Sequence, residues 1–220
     1  VPAYDAGVST LTLVTSSTDT EYNGTISFPA DILEGDIIIV GQQYGDADTT
    51  TEPNYTSYTG TGFTSVGGGY APGIDWVYQH AVSYKLADGT EASSSIGGFM
   101  PQESGSDVTA GIVVYRPNAP IANISAQDVA NAATTGNPAA QVINASNSVV
   151  ATISVAHAGG NNTPSVSYSG TPDVTVTHNS GSAKISLRTE AATKGSGVDI
   201  TFDVGDTGSN HATSFYLEVT

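Results

Sequence analysis

The chain has 220 residues with 21 acids, 5 bases and no cysteine, for a formal net charge of −16. That charge repels polyanions, and Lys85, Arg116, Lys184, Arg188 and Lys194 are too few to form a basic patch, which sets aside nucleic acids and anionic membrane surfaces as partners. The lack of cysteine excludes a disulfide framework and a thiolate zinc site, and no apolar run approaches the roughly 18 residues of a membrane helix.

In chain order, Val1 to Ser9 reads as an extended N-terminal arm, with Pro2 and Gly7 and without the basic and apolar regions of a signal peptide. Leu11-Thr-Leu13 and Ile26-Ser-Phe28 alternate apolar with polar residues, the period of a strand buried on one face. Ile37-Ile-Ile-Val40 is apolar throughout, the pattern of a strand buried on both faces. Between Gly41 and Trp76 the spacing predicts a long loop carrying Tyr44, Tyr55, Tyr58 and Tyr70 with Asp46, Asp48, Glu52 and Asp75. Loops beyond about 12–15 residues are uncommon unless they serve a function or are disordered. From Trp76 to Leu86 the alternation puts Trp76, Tyr78, His80, Val82, Tyr84 and Leu86 on one strand face, and Ile112-Val-Val-Tyr115 repeats the doubly buried pattern. Ala126 to Ala140 is the one helix-friendly stretch, and Gly136 and Pro138 break it. Val174-Thr-Val176, Ile185-Ser-Leu187 and Val198 to Val204 alternate again, for about a dozen strands in all.

A shift of 103 residues lays Lys85 on Arg188, Phe99 on Phe202, Ile112 on Phe215 and Val114 on Leu217. Gly35 to Gly41 matches Asn147 to Ile153 at a slightly larger shift. The chain therefore reads as an internal repeat, with halves at about 24–118 and 140–220. Neither half buries itself well, so the expectation is one domain over residues 1–220, an all-β sandwich of jelly-roll or Ig-like type with almost no helix.

Chemistry-bearing patterns are scarce. No Gly-x-Ser-x-Gly elbow is present, and Gly67-Gly-Gly69 lacks the lysine and the helix of a phosphate loop. His80, His157, His178 and His211 each stand alone in the sequence and read as structural or surface residues. Asp46 and Asp48 offer two carboxylates to Ca²⁺ but lack the remaining acids of an EF-hand, so loosely bound calcium is the most they suggest. No catalytic, cofactor or metal residue is assigned, and the chain is expected to be no enzyme.

Four segments together resemble a family of β-sandwich domains found in tailed-phage virion proteins and some bacterial surface proteins. They are Phe28 to Val40, with its Pro-Ala turn and Gly-Asp before an aliphatic strand, Gly62-Phe-Thr-Ser-Val66, Tyr84-Lys-Leu-Ala-Asp-Gly-Thr-Glu91 and Ile112-Val-Val-Tyr-Arg116. Phe63 stands where the family carries tryptophan, and Leu187-Arg-Thr-Glu190 and Phe215 to Val219 echo the pattern in the second half. The resemblance implies a virion structural protein on the particle surface, of capsid-decoration, head-fibre or tail-fibre type. Its partners would be the major capsid protein or tail proteins, and it would form a homo-oligomer on the particle. The alternative is a carbohydrate-binding or adhesin module. Either role makes Tyr44, Tyr55, Tyr58, Tyr70 and Trp76 the candidate contact surface, because tyrosine and tryptophan give large contact area at low entropy cost. With no required cofactor, elemental analysis of the purified protein is expected to find no stoichiometric transition metal.

Overall fold

The computed structural model describes residues 8, 10–19, 24–46, 59–72, 77–99, 106–133, 141–144, 149–158, 173–177, 183–190, 197–200 and 210–220. All regular structure among them is strand. In the first half the strands are β1 (Leu11–Asp19), β2 (Thr25–Ser27), β3 (Ile37–Asp46), β4 (Thr64–Pro72), β5 (Val77–Leu86), β6 (Ser95–Gly97) and β7 (Ser106–Pro117). The second half carries β8 (Ile124–Ala133), β9 (Gln141–Asn144), β10 (Val149–Ala158), β11 (Val174–Thr177), β12 (Ala183–Glu190), β13 (Gly197–Ile200) and β14 (Asn210–Val219). The Ala-rich start of the helix-friendly stretch is thus strand β8, which pairs with β14 from Ile124↔Val219 to Ala133↔His211. Alanine's helix preference is weak beside a full ladder of cross-strand bonds.

Each half builds one five-stranded antiparallel sheet of its own. The first has the order β1-β7-β3-β5-β4 and the second β8-β14-β10-β12-β11. Counted from the start of its half, each sheet has the same order, and each half adds a two-stranded pair, β2-β6 or β9-β13, from the same relative strands. In both halves the first strand also carries a bulge against the last, between Leu13 and Thr15 in β1 and opposite Ser214 and Phe215 in β8.

The first sheet is buried on both faces, as the unbroken apolar runs require. Ile37 and Ile39 lie on one face with Leu11, Val82, Val113 and Tyr115, and there they meet Val174, Leu217 and Val219 of the second half. Ile38 and Val40 lie on the other face with Ala81, Ala110, Ile112 and Val114, beneath Ile26 of β2 and Phe28, Ile32 and Phe99. Across the face-to-face layer, the Tyr115 hydroxyl donates to the Asp173 carboxylate at 2.7 Å, bonding one half to the other. The link between the halves is tied down as well, because the Ala122 and Asn123 amides donate to the Thr220 carbonyl at 2.7 and 3.1 Å.

Two sequence expectations need correction. The stretch from Gly41 to Trp76 is not one loop, since β3 continues to Asp46 and β4 occupies Thr64–Pro72. Gln42 and Gln43 look like loop residues but are buried at 0% and 1%, held there by β5 on one side and β7 on the other. The N-terminal arm is not wholly a tether either. Val8 is fully buried between the sheets, and Thr10 exchanges bonds of 3.0 and 3.2 Å with Asn118.

Truncating a buried core aliphatic costs about 2–5 kcal/mol through lost transfer energy and an unfilled cavity. Ile39→Ala is expected to fall in that range by denaturant unfolding. Residues 1–120 expressed alone should lack a cooperative transition, because Ile37, Ile39, Val82, Val113 and Tyr115 lose the layer that covers them.

Candidate interaction surface

The first sheet has two ends of different character. At the end where β3 begins, two ion pairs and several backbone bonds lock the loops together. Gly35, at φ +87°, takes a left-handed conformation that a side chain would strain, and its amide donates to the Ala87 carbonyl at 2.9 Å. The Ala87 amide returns a bond to the Asp36 carbonyl at 2.8 Å. The buried Asp36 carboxylate accepts from the Leu33 amide at 2.9 Å and from the Arg116 fork, Nε to Oδ1 at 2.8 Å and Nη2 to Oδ2 at 2.7 Å. Arg116 Nη2 also donates to the Asp31 carbonyl at 3.0 Å. Such two-point pairing fixes orientation as well as charge.

The neighbouring turn is built the same way. Lys85 pairs with Glu91 and with Asp88. Glu91 is buried and accepts from the Asp88 and Gly89 amides at 3.1 Å each. Bonds from the Thr90 hydroxyl and amide, then Lys85, hold the Asp88 carboxyl down at about 2. Burial pushes the Glu91 carboxyl up, but the Lys85 bond and the backbone amides together outweigh it and leave it below its usual value. The Glu91 bond, against some loss of solvation, raises Lys85. Hydrogen bonding to Asp36 likewise raises Arg116.

All four resemblance-bearing segments converge at this end. Phe28 to Val40 supplies Gly35 and Asp36, Tyr84 to Glu91 supplies Lys85, Ala87 and Glu91, and Ile112 to Arg116 supplies the guanidinium. Gly62 to Val66 joins through Phe63, whose ring lies 6.3 Å from Phe28 in a stacked pair and 5.3 Å from Phe99 edge-on. Phe63 thus closes the outer layer with Phe28 and Phe99. Sequence reasoning singled out these segments but not the pairing between them, because Asp36 and Arg116 are 80 residues apart and no short spacing links them.

Tyr44 and Tyr70 lie toward the other end. Register places Tyr44 of β3 opposite Gln79 of β5, and Gln79 opposite Tyr70 of β4, so the three share one row across the sheet. One row inward, Thr109, Gln43 and His80 are all buried. Asp46 closes β3 opposite Val77 and Ser106. Tyr55, Tyr58, Trp76 and Asp48 lie outside the described residues. Among the described residues no group of three or more metal-ligating side chains occurs, and no helix is long and apolar enough to cross a membrane. Sequence reasoning treated the histidines as solitary, yet His157 of β10 and His211 of β14 are direct register partners.

An open groove of about 780 Å³ runs beside β1, lined by Thr12, Leu13, Val14, by Ala30, Asp31 and Leu33, and by Arg116 to Asn118. Leu13 and Leu33 are 39% and 57% exposed there.

No protein-family model matches the chain, and no curated protein matches it. Among solved structures, it is similar to the STIV MCP at 12% identity, over 96% of each chain, with a TM-score of 0.27. A likeness that slight carries no argument about fold or role.

The shifted carboxyls set an acid limit on stability. A carboxyl depressed in the folded state stabilises above its unfolded value and loses that contribution as pH falls through its folded value. Unfolding midpoints should therefore drop as pH falls from 4.5, the ordinary value for Glu91, toward about 2, where Asp88 protonates. Lys85 works in the opposite sense, since its contribution is complete below 10.5 and fades as pH rises beyond it. Glu91→Gln should flatten the acid side of the profile. Asp36→Ala should cost about 1–3 kcal/mol by orphaning the Leu33 amide and the Arg116 fork.

Proposed function

We propose that this chain is a structural protein of a virion surface, a decoration or fibre protein of a tailed phage that docks onto other virion proteins through its tyrosine-bearing end. The convergence of the four resemblance-bearing segments at one end of the first sheet carries this reading. Sheet order brings the four motifs together, and they form one unit of the kind that the resemblance implies. They meet around the Asp36–Arg116 and Lys85–Glu91 pairs. That end holds loops together, and the opposite end of the sheet offers the row of Tyr44, Gln79 and Tyr70 for contact. The charge of −16 keeps such a protein soluble before assembly and favours a basic patch on the docking partner.

A second reading, a carbohydrate-binding module, draws on the same row, because aromatic residues beside an amide suit a sugar face. A glycan array separates the two.

Purified particles should carry the chain at fixed stoichiometry after gradient sedimentation, and particles without it would sink the virion reading. Aromatic anchors at interfaces cost about 2 kcal/mol or more on truncation. The double variant Tyr55→Ala with Tyr58→Ala should fold with an unchanged unfolding midpoint yet occupy particles less well. Wild-type occupancy would remove Tyr55 and Tyr58 from the contact surface.

A further inference from the structure

β1 is the outermost strand of the first sheet, bonded to β7 on one side, and among the described residues no strand pairs with its other side. An open edge presents a row of N–H and C=O groups that another extended chain can pair, and proteins guard it with lysine, proline, inward-pointing charge or a bulge. β1 reads Leu-Thr-Leu-Val-Thr-Ser-Ser-Thr-Asp, with no proline and no charge before Asp19 and one bulge as its guard. The bulge at Val14 interrupts the ladder once, after which Thr15 to Asp19 keep an even register with Val114 to Ala110. The groove lies against this edge. Its apolar residues Leu13 and Leu33 are two of the three exposed large hydrophobics among the described residues. Arg116, the cation lining the groove, is already neutralised by Asp36, so exposed Asp31 sets the charge that remains.

We propose that the edge of β1 accepts an extended segment of a basic partner protein as a sixth strand of the first sheet. The backbone of that segment pairs with β1, an apolar side chain covers Leu13 and Leu33, and a lysine or arginine meets Asp31. Strand addition draws affinity from main-chain bonds and specificity from alternate side chains, which is the combination the edge and groove provide. A second copy of this chain is a poor occupant. Each copy carries −16, and its first 84 residues hold no lysine or arginine to set against Asp31.

The inference rests on the docking reading and adds to it a second contact, beside the loops that Asp36 and Arg116 hold, and its test needs only the isolated chain. Fluorescent eight-residue peptides of alternating valine and lysine, and of alternating valine and glutamate, would be titrated at 0.15 M salt and read by anisotropy. The valine–lysine peptide is expected to bind. Its backbone N-methylated form, which cannot pair with an edge, and the valine–glutamate peptide should each bind at least about tenfold more weakly. Leu33→Ser and Asp31→Asn should each weaken the valine–lysine complex by about tenfold, while Leu86→Ser, exposed but outside the groove, leaves it unchanged. Equal binding of the N-methylated peptide, or indifference to both groove variants, would overturn the proposal. Sedimentation showing a dimer that Leu33→Ser dissociates would also overturn it, in favour of a second copy. Failure of the peptides with the chain still present on particles sinks the edge proposal alone, and the reverse outcome sinks the virion reading alone.

Discussion

The whole arrangement depends on one constraint: β3 and β7 are apolar on both faces. Ile37, Ile38, Ile39 and Val40 are each fully buried, and so are Val113, Val114 and Tyr115 of the neighbouring strand. A sheet with two dry faces must be the middle of something. Burying one such side chain is worth about 1.5–3 kcal/mol relative to leaving it in water, so an uncovered face would forfeit much of the free energy that folds a domain of this size. The short β2-β6 pair with Phe28, Phe63 and Phe99 covers one face, and the sheet of the second half covers the other.

The polar bonds act on that layered core as fasteners. Tyr115 is an apolar ring with a hydroxyl at its end, so it fills the layer and still reaches Asp173 in the other half. Asp36 and Glu91 are nearly fully buried, which is costly for a carboxylate unless it is paired. Both are paired, with bases and with backbone amides, so neither is left as an uncompensated charge. Removing one member of such a pair costs more than the pair itself contributes, which is why these loops behave as one unit.

Much of this was legible from residue order, for a physical reason. Period-two alternation and unbroken aliphatic runs record how many faces of a strand are dry, so the class of fold and the doubly buried strands could be read directly. Polar residues hid the rest. Gly41-Gln-Gln-Tyr-Gly-Asp46 has no apolar period, and only the strands on either side of it make it strand. Ala126 to Ala133 carries an intrinsic preference that its pairing with β14 overrides. Val8 is one isolated aliphatic residue in a polar stretch, and nothing local indicates that the layer between the sheets needs it. The pairing of Asp36 with Arg116 belongs to the fold, because the sheet order brings the start of β3 beside the end of β7. Of the candidate contact residues, Tyr44 and Tyr70 gain a shared row from strand register, which one-dimensional spacing does not reveal.

The division of the two sheets between the two halves has a consequence for biosynthesis. Every strand of the first sheet has left the ribosome once Pro117 emerges, but its inner cover is complete only when β14, ending at Val219, is made. At ordinary translation speeds of about 5–20 residues per second, the nascent chain displays Ile37, Ile39, Val82 and Val113 for roughly 5–20 seconds before their cover exists. That interval leaves these apolar side chains open to neighbouring chains on the same message. The risk of aggregation for this fold therefore falls on the growing chain, before β14 is made, more than on the finished molecule.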